Sequence, residues 1–186
     1  MPDSQSPKPN TREAILDAAE AVVTEEGAGR LTIDAVVARS GFSKGGVLYH
    51  FPSKIALLEG MVARLMGTIE HDLEAAETAA QQAGEPVASH LLRVIADKRH
   101  LESDLPVALL AASAEQPHLL DPARALNQRL WERIRDASSD PIQALILLLV
   151  IDGMSFNDLI KFKQFSDEDR AAVKARLIAM SKDLFQ

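Results

Sequence analysis

The sequence predicts an all-α protein of about nine helices, and three observations support this. Apolar residues recur at spacings of three and four along most of the chain, and no segment alternates apolar and polar residues as a half-buried strand does. Ser, Thr, Gly and Pro stand at the ends of the apolar segments, where helices begin and stop. The 186 residues are 47% hydrophobic and 25% charged, which is enough apolar material for a core.

The first two predicted helices are separated by a glycine-containing turn. The first covers residues 12–26 and stops at 27–29, which reads GAG. Its apolar face consists of Ile15, Ala18, Ala19, Val22 and Val23. Thr32 is positioned to cap the second helix, and Gly41 is expected to end that helix after about two turns.

A short third helix and a long fourth helix follow. Ser43 is the expected cap of the third, over 44–50, which ends there because Phe51 precedes a proline and is biased away from helical backbone. From Lys54 the helical spacing of apolar residues continues for nearly thirty residues, or roughly 40 Å. The fourth helix is therefore expected to connect an N-terminal domain with the rest of the chain.

Prolines indicate where the later helices start. Each stands at the first turn of an apolar segment, where its missing N–H would have had no intrahelical partner. These prolines are Pro86, Pro106, Pro122 and Pro141. A last helix is predicted over 167–185, and no internal repeat is present.

Composition excludes several kinds of site. With no Cys, the chain has no disulfide, no thiolate zinc site and no thiol nucleophile. Residues 1–10 are expected to be a flexible tail and not a signal peptide, which favours a cytoplasmic protein. The longest apolar run, 142–154, contains Gln143 and Asp152, and it is too short for a bilayer. It is predicted to be a buried helix.

Charge is unevenly distributed along this acidic chain. The net charge is −7, yet no Asp or Glu occurs from 35 to 58. That window carries Arg39, Lys44, Lys54 and His50. Because the local field decides whether a polyanion is attracted, the window is predicted to form a cationic surface.

Within this window, the stretch SKGGVLYHFPSK at 43–54 has a distinctive composition. It is not a phosphate-binding P-loop, since the lysine precedes the glycines and no strand comes before it. A hinge would explain the glycines but not the aromatic residues, three of the chain's eight lying between 42 and 51. Two short helices joined by SGFS have the dimensions of a helix-turn-helix, whose second helix enters the major groove of DNA. A solvated basic turn is the plainer alternative.

On the helix-turn-helix interpretation, the residue types have defined roles. Lys44 would reach a phosphate or a guanine edge, and Tyr49 and His50 would donate to phosphate oxygens. Gly45 and Gly46 each cost about 1 kcal/mol relative to Ala within a helix. Without side chains, however, they allow the start of the helix to lie close against DNA. Val47 and Leu48 are expected to pack on the first two helices.

Residues 11–62 resemble the N-terminal DNA-binding domain of the TetR family of bacterial transcriptional repressors. The similarity lies in an ordered set: RxxILxAA, a glycine, Thr32 with an apolar residue four positions on, then GFSKG and LYHFPSKxxL. The resemblance implies DNA contacts from Thr32, Ser43, Lys44, Gly45, Gly46, Tyr49, His50 and Lys54. It also implies a DNA-binding domain at 11–54, with the motif at 32–51, and a ligand-binding and dimerisation domain at 55–186.

The resemblance further implies that the protein binds a palindromic double-stranded operator as a homodimer, through helices near 141–162 and 167–185. The sequence supports this independently, because ALILLLVI is apolar nearly all round and must be covered on every side. A central core helix of a monomer is the alternative. In the family, a small-molecule effector shifts the dimer between two conformations, and the fourth helix transmits the change.

A small, largely apolar effector is expected in the second domain, with no cofactor and no metal. The candidate pocket residues are Met66, Leu92, Ile95, Leu109, Leu130, Trp131, Met154, Phe156 and Asn157. Each of them could equally be a core residue. Asp152 and Asp158 flank this region, where they would select a cationic ligand or act as surface or capping residues.

Two other classes of protein fit the sequence less well. An all-α enzyme would need a catalytic or metal-binding constellation, whereas the five histidines are scattered and no HExxH occurs, so no enzyme activity is expected. A helical carrier or dimerisation module without DNA binding would explain residues 60–186 but not the acid-free window. A ligand-responsive repressor accounts for both regions.

Overall fold

The computed structural model describes residues 10–97, 105–160, 162 and 165–185. Within these residues it contains nine α-helices and no strand, which confirms the predicted fold class. The helices are α1 (Thr11–Glu26), α2 (Ile33–Ser40), α3 (Lys44–His50), α4 (Lys54–Ala83), α5 (Val87–Ala96), α6 (Leu105–Ser113), α7 (Asp121–Asp136), α8 (Pro141–Leu159) and α9 (Asp167–Ser181). The predicted tail at 1–10 lies outside the described residues except for Asn10.

The helices belong to two compact units. The first contains α1, α2, α3, α4 as far as Arg64, and α6; the second contains α4 from Leu65 onward with α5, α7, α8 and α9. In the first unit, α1 packs on α2 and α2 on α3. In the second, α5 packs against α7, α8 and α9, and α7 packs against α8.

Side-chain caps fix several helix starts. Asn10 Oδ1 accepts the N–H of Arg12 at 3.2 Å, and Ser166 Oγ accepts that of Asp169 at 3.0 Å. Asp140 Oδ1 accepts two N–H groups at the start of α8, from Ile142 at 3.1 Å and Gln143 at 3.0 Å. Each cap satisfies donors that have no partner within the helix.

The chain leaves the last helix earlier than predicted. Helix α9 ends at Ser181, whereas the apolar pattern predicted a helix to Phe185. Leu184 and Phe185 are buried in the core of the second unit. The Leu184 carbonyl accepts the backbone N–H of Ser139 at 2.9 Å, so the segment after α9 folds back onto the core.

Helix α4 approaches α1 closely in the first unit. A Cβ placed at Gly60 would lie 2.7 Å from Phe51 Cε1 and 3.0 Å from Leu16 Cδ2. One turn further on, the Arg64 guanidinium contacts three carboxylates of α1, those of Glu13, Asp17 and Glu20. An apolar contact and an ion-pair cluster therefore hold the start of α4 on α1.

Helix α8 has one buried and one exposed apolar face. Ala144, Leu147, Leu148 and Ile151 are buried, whereas the opposite side presents Ile142, Ile146, Leu149 and Phe156 to solvent. Helix α8 has 19 residues, and its most apolar 18-residue stretch has a mean hydropathy of 1.6, so by length and composition the helix could cross a membrane. The helix is thus longer than the apolar run from which it was predicted, and one face remains uncovered.

Candidate nucleic-acid interface and ligand cavity

Helices α2 and α3 start at capped residues and are joined by a tight turn. Thr32 Oγ1 accepts the N–H of Ala35, and Ser43 Oγ accepts that of Gly46, both at 3.1 Å. Gly41 ends α2 with a φ of +73°, in the left-handed region that favours glycine. Two short capped helices joined by a tight turn therefore lie between Thr32 and Phe51.

The apolar residues of α3 divide between core and surface. Val47 is fully buried, and Phe51 is 1% exposed immediately behind it. Leu48 was expected to pack on the first two helices, but it is 37% exposed, so that prediction was wrong. Successive helical residues point about 100° apart, so in a single seven-residue helix Val47 and Leu48 face different directions.

The predicted DNA-contacting side chains remain outside the core. Lys44 and Lys54 are exposed, and His50 is partly exposed. Tyr49 is 84% exposed and meets the His50 ring edge-to-face, with 5.1 Å between centroids. Such an exposed aromatic residue contributes little to packing, which leaves its hydroxyl accessible to a partner.

The two glycines of α3 differ in their surroundings. A Cβ at Gly45 would meet nothing within 4 Å, and the backbone there needs no positive φ. A Cβ at Gly46 would lie 3.2 Å from Ser43 Oγ, so a larger residue there would press on the cap. The fold therefore accounts for Gly46 but gives no internal reason for Gly45.

The predicted cationic surface is partly neutralised by acids from outside the acid-free window. Arg39 makes two hydrogen bonds to Glu25 of α1, and these lower the pKa of Glu25. Lys44 Nζ lies 2.8 Å from Asp34 Oδ1, and Lys54 Nζ donates to the Ala28 carbonyl at 3.4 Å. The folded surface is consequently less positive than the linear window.

The second unit contains a cavity of about 250 Å³ among α4, α5, α7 and α8. Its walls are mostly apolar, with Asp97, Asn127, Asp152 and Ser155 as polar members. Burial raises the pKa of Asp152, and the neighbouring indole N–H of Trp131 opposes that rise. The arrangement suits a small molecule with an apolar body and a few polar groups.

The predicted pocket residues fall in several places. Met66, Ile95 and Leu130 line the cavity, whereas Trp131 lines a neighbouring one of about 410 Å³. Leu92 is fully buried in the core of the second unit, and Leu109 is buried in the first. On α8, Met154 is half-buried, Phe156 is exposed, and the Asn157 amide donates to the Gly153 carbonyl.

Sequence reasoning missed several members of the cavity wall, including Ile69, Val94 and Asp97. Ile69 stands on the apolar stripe of α4, a signal that cannot separate a cavity wall from a core. Asp158 does not line this cavity and pairs with Arg170 of α9. Within the described residues, no group of three or more His, Asp or Glu side chains could hold a metal ion.

A capped helix-turn-helix in one unit and an apolar cavity in a second helical unit define a class of ligand-responsive DNA-binding regulators. The chain belongs to the TetR family. The family profile described as "Tetracyclin repressor-like, C-terminal domain" matches residues 85–182, and that of "Bacterial regulatory proteins, tetR family" matches 15–61. The protein is a TetR-family transcriptional regulator, and the family consists of regulators, not enzymes.

Curated relatives are similar only over a short part of the chain. The nucleoid occlusion factor SlmA of Aliivibrio fischeri (strain MJ11) is 41% identical over 56 residues, covering 30% of this chain and 29% of that protein. The transcriptional repressor BepR of Brucella suis biovar 1 (strain 1330) is 35% identical over 54 residues, covering 29% and 26%. This chain therefore spans less than a third of the length of these relatives.

Solved structures are similar over nearly the whole chain. A TetR-family member from Streptomyces coelicolor A3 has a TM-score of 0.66 and 25% identity, covering 91% of this chain and 98% of that one. The multidrug binding protein EbrR complexed with ethidium has a TM-score of 0.63 and 25% identity, covering 91% and 99%. The helical fold of the described residues is thus a known TetR-family fold.

Proposed function

We propose that the protein is a repressor that binds a palindromic operator as a homodimer and is released by a small, largely apolar molecule. The observation that carries the proposal is the surface of α3. No contact within the protein requires a glycine at position 45, and the highly exposed Tyr49 lies beside His50. A bare helix start with exposed donors suits close approach to a DNA groove.

In the proposed complex, α3 lies in the major groove. Lys44 contacts a phosphate or a guanine edge, Gly45 and Gly46 allow close approach, and Tyr49 and His50 donate to phosphates. Three side chains add contacts at helix starts: Thr32, Ser43 and Lys54. The DNA-binding domain would cover 11–54, and the ligand-binding and dimerisation domain 55–186. With this action at DNA, the protein would work in the cytoplasm.

Dimerisation is proposed through the helices near 141–162 and 167–185. The exposed apolar residues of α8 recur at spacings of four and three, and Val173 of α9 is also exposed. An uncovered apolar stripe of this kind favours burial against a second copy. Leu149→Glu should give a monomer in sedimentation equilibrium and weaken operator binding. A Leu149→Glu variant that remains dimeric would exclude this face as the interface.

Effector binding is proposed in the second-unit cavity. EbrR, which shares this fold, has been solved with imidazole, malachite green, ethidium and proflavin. The apolar walls of the present cavity suit a compact organic molecule. Its binding would favour one dimer conformation and so change the affinity for two half-sites about 34–36 Å apart.

A mobility-shift titration against the DNA upstream of the coding region tests the proposal. Lys44→Ala removes one cation from each subunit of the dimer, so it should weaken binding and reduce the slope of log affinity against log salt by about 2. Tyr49→Phe should weaken binding more modestly. Arg135→Ala, which removes an exposed positive charge near the end of α7, outside the proposed DNA contacts and dimer helices, is the control. No binding at low salt, or equal binding by all variants, would refute the proposed DNA contacts and favour a carrier or dimerisation module.

A further inference from the structure

Asp152 stands out among the acidic residues of the second unit. It belongs to α8, lines the 250 Å³ cavity and is about half-buried there. Within the described part of the chain, it makes no ion pair. A half-buried carboxylate without a counter-charge is costly, because burial removes part of its hydration and no positive charge replaces it.

The rest of the cavity wall adds no positive charge. No Lys, Arg or His is among the described residues that line it. Asp97, the second acid in the wall, lies 3.7 Å from Lys174, and both side chains are more than two-fifths exposed. Lys174 partly neutralises Asp97, whereas no cation faces Asp152 among the described residues, so the potential at Asp152 attracts cations and repels anions.

Trp131 gives the Asp152 carboxylate a polar neighbour but not a counter-charge. Its indole N–H is close enough to lower the pKa of Asp152. That N–H is nevertheless buried and makes no hydrogen bond of normal geometry within the described residues. The carboxylate therefore keeps acceptor capacity for an incoming donor.

We infer that the cavity binds a small aromatic or aliphatic monocation, such as a protonated amine, whose charged N–H groups donate to Asp152. This inference rests on the proposed effector function and specifies the chemistry of the effector. A charged donor returns to the carboxylate both a counter-charge and hydrogen bonds, while the apolar body fills the space among Met66, Ile69, Ile95 and Leu130.

The cavity also limits the size of the ligand. Pockets for drug-sized molecules measure about 300–1,000 Å³, and this one is about 250 Å³. A one- or two-ring amine is therefore the expected scale.

Three matched probes test the charge preference: 1-naphthylmethylamine as the cation, 1-naphthylmethanol as the neutral isostere and 1-naphthoate as the anion. Binding is measured by calorimetry and by the fluorescence of Trp131, the single tryptophan. The amine should bind about tenfold more tightly than the alcohol, equivalent to about 1.4 kcal/mol, and the carboxylate should bind most weakly. Asp152→Asn should remove this preference and leave affinity for the alcohol nearly unchanged.

Two variants separate Asp152 from general charge effects. Asp136→Asn removes one charge from the exposed end of α7 and should keep the full preference for the amine. Asp97→Asn changes the other acid in the wall and should keep most of it. The inference fails if the amine binds no better than the alcohol, if Asp152→Asn keeps the preference, or if the preference follows Asp97.

Operator binding by the wild type is measured in parallel without any probe. If the protein binds its operator but shows no preference for the amine, only the inferred effector chemistry is overturned. Operator binding that is absent counts against the proposed repressor, whatever the probes show.

Discussion

Gly60→Ala is predicted to destabilise the protein, although Ala is the better helix former. Gly60 is buried in α4 where this helix crosses Phe51 and Leu16. The added Cβ would lie 2.7 Å from Phe51 Cε1 and 3.0 Å from Leu16 Cδ2. Carbon atoms in favourable contact are about 3.5–4.0 Å apart, so the new methyl group would overlap both side chains.

The expected magnitude follows from two opposing effects. Overpacking a dense core costs about 1–3 kcal/mol, and neither neighbour has room to retreat, because Phe51 is 1% exposed and Leu16 is fully buried. Replacing Gly by Ala within a helix stabilises by about 1 kcal/mol. The expected net loss is therefore up to about 2 kcal/mol, which corresponds to a fall in Tm of up to about 8 °C for a chain of this length.

Gly67→Ala is the matched control on the same helix. Gly67 is exposed, and a Cβ there would meet nothing within 4 Å, so only the helix preference acts and stability should rise by about 1 kcal/mol. Thermal and urea unfolding should be compared at one protein concentration, because dimerisation adds to apparent stability. If Gly60→Ala is as stable as Gly67→Ala, the core around Phe51 and Leu16 accepts an added methyl group at no cost, and the predicted overpacking is refuted.

Three further predictions concern single acidic residues. Asp34→Asn should tighten DNA binding, measured by mobility shift, because it frees Lys44 from an exposed ion pair; such pairs contribute about 0–1 kcal/mol, so a gain of up to about fivefold is expected. Asp140→Ala should destabilise by about 1 kcal/mol in urea unfolding, because two N–H groups lose their cap. Asp152→Asn should stabilise the protein at pH 7. Burial raises the pKa of Asp152 in the folded state, so the stability of the wild type falls as the pH rises from the unfolded-state pKa, about 3.9, through the folded-state pKa. Unfolding measurements at a pH below both pKa values should therefore show no advantage of the Asn variant.

Local signals made most of the fold predictable. Thr32 and Ser43 were identified as caps because a hydroxyl before an apolar segment satisfies free N–H groups, and both make the expected hydrogen bonds. Gly41 was identified as a helix end because a glycine there adopts the left-handed conformation. These features depend on neighbours within four residues, which the sequence displays directly.

Contacts between distant residues were not predictable in the same way. The acid-free window suggested a strongly cationic surface, yet Glu25 and Asp34, which lie outside it, pair with Arg39 and Lys44 after folding. The Arg64 cluster joins residues more than forty positions apart. Linear charge patterns omit such pairs, because only the packing of α1 on α2 and α4 decides which side chains meet.

For the same reason, the sequence does not distinguish apolar residues that line the ligand cavity from other residues of the core. Leu92 and Leu130 have the same chemistry, stand on neighbouring amphipathic helices and are both buried in the core, yet only Leu130 of the two also lines the cavity. Asp152 differs, because a carboxylate inside the apolar run of α8 cannot be placed in a dry core without a partner. Such a residue must face solvent, a counter-charge or a polar cavity. An acid that interrupts an apolar helix is therefore a better sequence signal for a binding cavity than any of the apolar residues around it.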